Sequence, residues 1–480
     1  MSQLRRGEAL LLQLQRGKKL SFREQMFLTV WLSVPAMLAQ ISFIIMQYID
    51  ASMVGGLGAD ESASIGLVST STWLFGGLCV AATTGFTVQV AQRIGAGDER
   101  TARNLVKMAM VAGIGFSLFL TVAGAGISNR LPVWLGGDEA ILKNASSYFL
   151  IYVLFLPVMQ LNSLAGGMLQ SSGNMKVPSI LHMFMCLLDV IFNAMLIFPS
   201  RPLSAFGGQI WIPGAGLGVT GAALGTALAE TVTVIAMLYF LFYKSKSLSL
   251  RKGERFYFSL QSMKSAFKIA APVGVEQIVM CGAMVASTRI VAPLGTIAIA
   301  ANSFAVTAES LCYMPGYGIE AAATTLVGQS VGAGRHDLVR RLAWLSTGLG
   351  MVIMTCSGIL MYAAAPLMIG FLSPDKAIRQ LGTAVLRIEA FAEPLYGASI
   401  VASGALRGAG DTLIPSCMNF FSMWAIRLPL AAWLAPVMGL KGVWIAMCLE
   451  LCARGILFLI RLNSKGWLKG NKEGVVTYEV

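Results

Sequence analysis

The residues best placed to do chemistry are carboxylates set singly inside apolar sequence. Asp50 lies in "FIIMQYIDASMVGGLG", and Asp189 lies in "CLLDVIFNAMLIF" with Asn193 four residues on. That spacing puts carboxylate and amide on one helical face. Glu276, Glu309, Glu320, Glu389 and Glu393 form a second set further along the chain. Charge inside hydrocarbon is expensive, so it is retained for a pathway, a proton relay or a pair. A carboxylate in a low-dielectric cavity suits reversible protonation, and it can equally hold Na+ or an organic cation. The chemistry expected is therefore binding of a cationic cargo and of a coupling ion, H+ or Na+, with Na+ accommodated at Asp50 and Asp189. Each acid also has a plainer reading. Asp50 could cap its helix near Gly55 and Gly56, Asp189 could pair with Arg427, Glu276 with Lys268, and Glu393 could pin two helices through an ion pair.

Other chemistries find no footing. No HExxH, GxSxG or P-loop pattern is present, and His182 and His336 stand alone, so neither an intramembrane hydrolase nor a nucleotide-driven machine is expected. The eight cysteines sit at irregular spacing within apolar runs, with no CxxC pair. They read as small buried hydrophobes, with no cofactor and no structural metal implied.

The elements that must position these acids are membrane helices. Of the 480 residues 56% are hydrophobic and 12% charged, about half the charge of a soluble chain. Twelve apolar runs begin near Phe27, Ser62, Thr101, Ala145, Val177, Gly216, Ser265, Ala298, Leu338, Ala377, Thr412 and Gly442. Each is long enough to cross about 30 Å of hydrocarbon. They do not alternate, so helices and not a barrel are implied. The net charge of +13 is concentrated at the N-terminus, in every second loop (Arg93 to Lys107, Lys244 to Lys268, Arg335 to Arg341) and at the C-terminus. That pattern speaks for membrane topology and against nucleic acid, and places both termini in the cytoplasm of a multi-pass plasma (inner) membrane protein. The segment before residue 26 has a short, Gln-interrupted apolar stretch, unlike a cleavable signal.

The sequence also repeats itself. "QRIGAGDERTAR" from Gln92 returns as "QSVGAGRHDLVR" from Gln329, an offset of 237 residues. The same offset pairs Pro35 with Pro272, Gln40 with Gln277, Pro157 with Pro394, Gly173 with Gly410 and Pro178 with Pro415, and it breaks after Pro199, where the first half carries a longer outer loop. The expected fold is all-α: twelve transmembrane helices in two six-helix lobes related by a pseudo-twofold axis along the membrane normal. Its divisions are an amphipathic cytoplasmic lead-in (1–25), the first lobe (26–243), a basic linker (244–264), the second lobe (265–462) and a cytoplasmic tail (463–480). The paired glycines read as helix caps, since "GAG" ends a long run where a left-handed residue is needed. Acids lacking a counterpart are the functional candidates: Asp50 aligns with Ser287, Asp189 with Ile426, Asn193 with Leu430, Glu276 with Ala39 and Glu393 with Leu156. One chain holds both lobes, so a monomer suffices.

"VPAML…YIDASMVGGLG", "QRIGAGD" with "LVGQSVGAGR", and "SGALRGAGDTLIP" resemble the multidrug and toxic compound extrusion (MATE) family of the multidrug/oligosaccharidyl-lipid/polysaccharide exporter superfamily, over roughly residues 25–462. The resemblance implies a V-shaped central cleft and alternating-access export of cationic or amphipathic drugs in exchange for H+ or Na+. A lipid-linked oligosaccharide flippase of the same superfamily is the alternative. Asp50 matches the family's first-helix aspartate, and Pro35 the helix-bending proline before it. In the fifth helix many members have Asn followed by Asp, where this chain has Asp189 and then Asn193. Sodium-driven members carry second-lobe acids that align with Met280 and Tyr396, about one turn from Glu276 and Glu393. The membrane lipid around the spans and small-molecule cargo are the expected partners.

Overall fold

The computed structural model describes residues 3–16, 18–205, 208–251, 253–464 and 466–469. The tail expected at 463–480 thus lies mostly outside the described residues. An amphipathic helix α1 (Gln3–Gln15) precedes the first span. The first lobe then comprises α2 (Phe22–Gly55), α3 (Ala59–Gly95), α4 (Glu99–Ile127), a single turn α5 (Leu131–Trp134), α6 (Glu139–Leu154) with α7 (Leu156–Ser171), α8 (Lys176–Leu196), strands β1 (Pro199–Ala205) and β2 (Gly208–Ala215), and α9 (Gly218–Tyr239). The second lobe comprises α10 (Leu260–Val291), α11 (Thr296–Gly332), α12 (His336–Leu372), α13 (Lys376–Glu389) with α14 (Glu393–Gly408), α15 (Leu413–Phe421) running through a π turn (Ser422–Arg427) into α16 (Leu428–Met438), and α17 (Leu440–Asn463); a last turn α18 spans Gly466–Lys469.

Local chemistry explains the boundaries. Ser21 and Glu24 form a reciprocal cap at the start of α2: the Ser21 N–H donates to Glu24 Oε2 at 2.7 Å, and Ser21 Oγ accepts from the Glu24 N–H. Asp98 Oδ1 accepts from the Thr101 N–H at 3.0 Å to start α4. Both "GAG" turns end a helix with a left-handed residue, Gly97 at φ +77° and Gly334 at φ +67°, as a C-terminal cap requires.

Ten helices are long and apolar enough to cross a membrane unbroken, and α6 with α7 forms an eleventh crossing bent by 46°. Its counterpart in the second lobe, α13 with α14, is likewise interrupted, at Ala390 to Ala392. The twelve runs are therefore ten unbroken and two broken. The cause is the matched pair Pro157 and Pro394, each at the start of the second piece. Proline has no N–H to continue a helix but fits a first turn. By contrast, Pro35 and Pro272 lie inside the continuous helices α2 and α10. The longer outer loop is an antiparallel hairpin, β1 against β2, with Leu203 opposite Ile210 and an irregularity between Pro199 and Arg201.

The twofold relation is written into the contacts. α2 packs on α11 while α10 packs on α3, each lobe's first helix lying on the other's second. Gln92 Nε2 donates to the Gly408 carbonyl at 3.2 Å, and Gln329 Nε2 to the Ser171 carbonyl at 2.8 Å. Each of these residues is its mate displaced by 237. Gly95 lies directly against the Gln329 backbone and Gly332 against that of Gln92. At the face carrying the basic loops the lobes are therefore sealed backbone to backbone, and the leading Gln of the duplicated motif is the donor that crosses. A capping role alone, as the sequence suggests, accounts for the glycines of that motif but not for its glutamine.

α1 lies across this seal. Leu10, Leu11 and Leu14 are buried among Leu28, Leu32 and Met175 of the first lobe and Ala322, Leu326, Leu338 and Leu342 of the second. Gln15 Nε2 donates to Gln329 Oε1 at 3.2 Å, and Leu11 covers the left-handed Gly173. The linker is strapped down as well. Arg103 holds Glu254 through two guanidinium nitrogens, the shorter contact 2.6 Å, which keeps the Glu254 carboxyl below its ordinary range. Asn104 and Tyr257 exchange amide and backbone hydrogen bonds of 2.9 and 3.1 Å.

Candidate functional site

The first-lobe residues singled out from sequence converge. α2 delivers Asp50 late in its span, and α8 delivers Asp189 and Asn193 from one face. Asn193 Nδ2 donates to Asp50 Oδ1 at 2.9 Å and to Asp189 Oδ2 at 3.0 Å. The one amide therefore brings the two carboxyl groups together. Asp189 is fully buried and Asn193 nearly so, while Asp50 is half-buried. Asp189 Oδ1 has no donor among the described residues. A buried acceptor without a donor is costly, and a proton or a small cation placed between the two acids would offset that cost. Asp189 does not pair with Arg427, which sits in the other lobe; Asp50 meets a partner helix and does not cap its own.

A neighbour of this group was missed in the sequence. Glu230 on α9 accepts from Asn162 Nδ2 of α7 and lies close to Asp189. Searching for acids present in one half only passes over it, because the last helix of the other lobe also carries a glutamate, Glu450 in "GVWIAMCLE", one residue from the matching position. The signal available was a Glu inside an apolar run, "GAALGTALAE". Gly225, one turn earlier on α9, lies flush against the Asn193 side chain, so its lack of a side chain lets α9 approach the group.

The second-lobe acids separate into two groups. Glu276 of α10 receives Arg407 Nη2 at 3.1 Å, Ser416 Oγ at 2.7 Å and Asn419 Nδ2 at 2.6 Å. Arg407 reaches on to Glu320 at 3.2 Å. Glu276 is thus bonded to the arginine of "SGALRGAGD" and not to Lys268. Glu393, by contrast, makes no ion pair among the described residues. It stands with Glu389 at the break between α13 and α14; both are fully buried, and all four of their oxygens lack hydrogen-bond partners among the described residues. Glu309 of α11 faces them, with Arg427 and Arg454 as the nearby cations.

Arg454 is anchored by Glu450, its Nε and Nη2 donating at 2.8 and 2.9 Å, and its guanidinium lies 5.7 Å over the Tyr396 ring. Ser422, at the start of the π turn, also donates to Glu450; such turns are frequent at functional sites. Replacing Arg454 with Met strands Glu450 without its counter-charge. The expected cost is roughly 3–5 kcal/mol, read as a lower thermal midpoint of the detergent-solubilised protein, with Arg454→Lys recovering part of it. Glu276, Glu393 and the Asp50 group therefore form three separate clusters. A cavity of about 700 Å³ belongs to none of them and lies at the start of α12.

Comparison with known proteins follows the same lines. A family model described as MatE matches residues 35–195 and again 272–433, one match per lobe, starting at the paired prolines. A probable multidrug resistance protein NorM of Thermotoga maritima is 26% identical over 453 residues, covering 93% of this chain and 94% of its own. A protein of the same description from Burkholderia pseudomallei is 28% identical over 448 residues, with coverages of 91% and 92%. Among solved structures, an outward-facing multidrug resistance MATE family transporter of the MOP superfamily superimposes with a TM-score of 0.83 at 20% identity, covering 96% of this chain and 98% of that one. The Vibrio cholerae MATE transporter VcmN gives 0.82 at 17% identity, with coverages of 97% and 98%.

Proposed function

Because the chain belongs to the MatE family, we propose that it is a secondary antiporter which exports cationic or amphipathic drugs in exchange for H+ or Na+ by alternating access. The relatives named as multidrug resistance proteins support the cargo class. The observation that carries the mechanism is the Asp50–Asn193–Asp189 junction, where a donor-less Asp189 oxygen stands beside a second carboxyl group. Two carboxyl groups that share one amide donor in a buried place are set to take up a proton or a small cation between them. Asp50, the less buried of the two, is the member we assign to cargo or solvent. Asn193 keeps the two acids aligned whichever is charged. Loading this group from one side and emptying it to the other biases the lobes between two arrangements, because the ion's contacts differ between them. In this reading the basic loops and both chain ends face the cytoplasm, and the arrangement sealed there is the one open to the outside.

Reconstituted vesicles with a cationic dye test this. A pH gradient alone should drive efflux well above background, and a Na+ gradient alone should do so only if the cation and the proton share the Asp50 group. Efflux indifferent to both gradients, or scrambling of lipid-linked sugars without dye movement, would sink the proposal.

A further inference from the structure

The cavity at the start of α12 has the composition of a lipid headgroup pocket. One wall is Phe22 and Gln25 at the start of α2, in the first lobe; the other is His336, Arg340, Arg341 and Trp344 of α12, in the second. Arg341 is exposed and forms no ion pair or hydrogen bond among the described residues. Arg340 spends one nitrogen on Asn463, at 2.8 Å from its side-chain oxygen. The one carboxylate lining it among the described residues, Asp337, is already engaged by Arg335 at 2.8 Å, so the described lining carries a net positive charge. The buried Gln25 donates to the Leu20 carbonyl at 2.8 Å, while its Oε1 has no donor.

From this geometry we infer that the cavity binds the phosphodiester headgroup of an anionic phospholipid, with the arginines on the phosphate and the acyl chains leaving over Phe22 and Trp344. Three features favour a lipid over free phosphate. Trp344 and the exposed Phe22 stand beside the cations, the mixture that lines the headgroup level of a membrane. The volume of about 700 Å³ exceeds what an inorganic ion fills. A headgroup hydroxyl supplies the donor that the Gln25 oxygen lacks, after a small rotation of the amide. Juxtamembrane Lys and Arg each add to the attraction of anionic lipid. Because the walls come from different lobes, a headgroup seated here gains all its contacts only while these helix ends are together, and so stabilises the sealed arrangement. The binding itself stands apart from the antiport reading, and its measurement needs no transport.

The test is native mass spectrometry of the full-length protein titrated with dioleoyl phosphatidylglycerol, with dioleoyl phosphatidylcholine and with inorganic phosphate. Phosphatidylglycerol should bind roughly 30-fold more tightly than phosphatidylcholine, as two lipid-facing cations imply. Arg341→Gln should remove about 5-fold of that preference, and the R340Q/R341Q pair nearly all of it. Arg100→Gln, at the exposed basic loop of the other lobe, should leave it intact. Equal affinity for the two lipids, an Arg100→Gln loss as large as that of Arg341→Gln, or inorganic phosphate binding as tightly as the lipid would overturn the inference. In nanodiscs, adding phosphatidylglycerol to phosphatidylcholine should narrow the distance distribution between spin labels placed on the two lobes; an unchanged distribution would overturn the bridging role.

Discussion

Asp50→Asn should abolish gradient-driven dye efflux while leaving the protein folded. The asparagine keeps the size of the side chain and an oxygen that can accept from Asn193 Nδ2, now at 2.9 Å from Asp50 Oδ1, so the thermal midpoint should scarcely move. What disappears is the ionisable partner of Asp189. In the antiport proposed above, exchange of ion for cargo runs through a coupling free energy at this pair, and removing one party should lower transport by on the order of 100-fold. Asp189→Asn should have a similar effect, and the double substitution should cost little more than either alone, since the acids act as one unit. Asn193→Leu, which installs the residue found at the corresponding position of the other lobe, should be worse for stability: it leaves Asp50 and Asp189 facing without their common donor. Vesicle transport and thermal unfolding of the four variants check this. Wild-type efflux in Asp50→Asn would remove this group from the mechanism.

The second large effect is expected at the seal between the lobes. Gly95 abuts the Gln329 backbone and Gly332 that of Gln92, so a side chain at either position has no flexible neighbour to displace. Gly332→Leu should therefore push the lobes apart at the basic-loop face. Overpacking of this kind costs about 1–3 kcal/mol, enough to shift the ratio of the two arrangements roughly tenfold or more. Spin labels at Arg100 and Arg341, one on each lobe, in a background with the native cysteines replaced, should report a longer and broader distance. Gly95→Leu should do the same from the other side. Gly97→Ala is the contrast: Gly97 has φ +77° with open space around it, so it should cost backbone strain of about 1–2 kcal/mol without moving the lobes.

These two regions also mark what the sequence made readable. The lobes, their crossing segments and the Asp50, Asp189 and Asn193 group were legible because apolar runs are long, charge within them is rare, and duplication separates shared frame from unshared chemistry. Glu230 and Glu450 were not, for the same reason: each lobe carries one, and a comparison that discards common features discards them. The Arg407 bridge between Glu276 and Glu320 was hidden because the three residues come from α14, α10 and α11, far apart in the chain, and only helix packing joins them. The crossing hydrogen bonds of Gln92 and Gln329 were hidden for a different reason. A glutamine at a helix end has many local uses, and nothing in its spacing announces a partner more than 150 residues away. The hairpin after Pro199 went unread because its pairing follows from backbone geometry between short irregular segments and leaves no strong alternation.

The position of α1 makes it a reporter of the seal beneath it. Its three leucines rest on residues from both lobes at once, and no rearrangement that parts those surfaces leaves all three covered. Each exposed leucine forfeits about 1.5–3 kcal/mol, so the chain's first turns should come loose whenever the doorway behind them opens and settle when it shuts. Deuterium uptake by the amides of Leu10 to Leu14 should then rise with the share of molecules in which the two lobes have parted there.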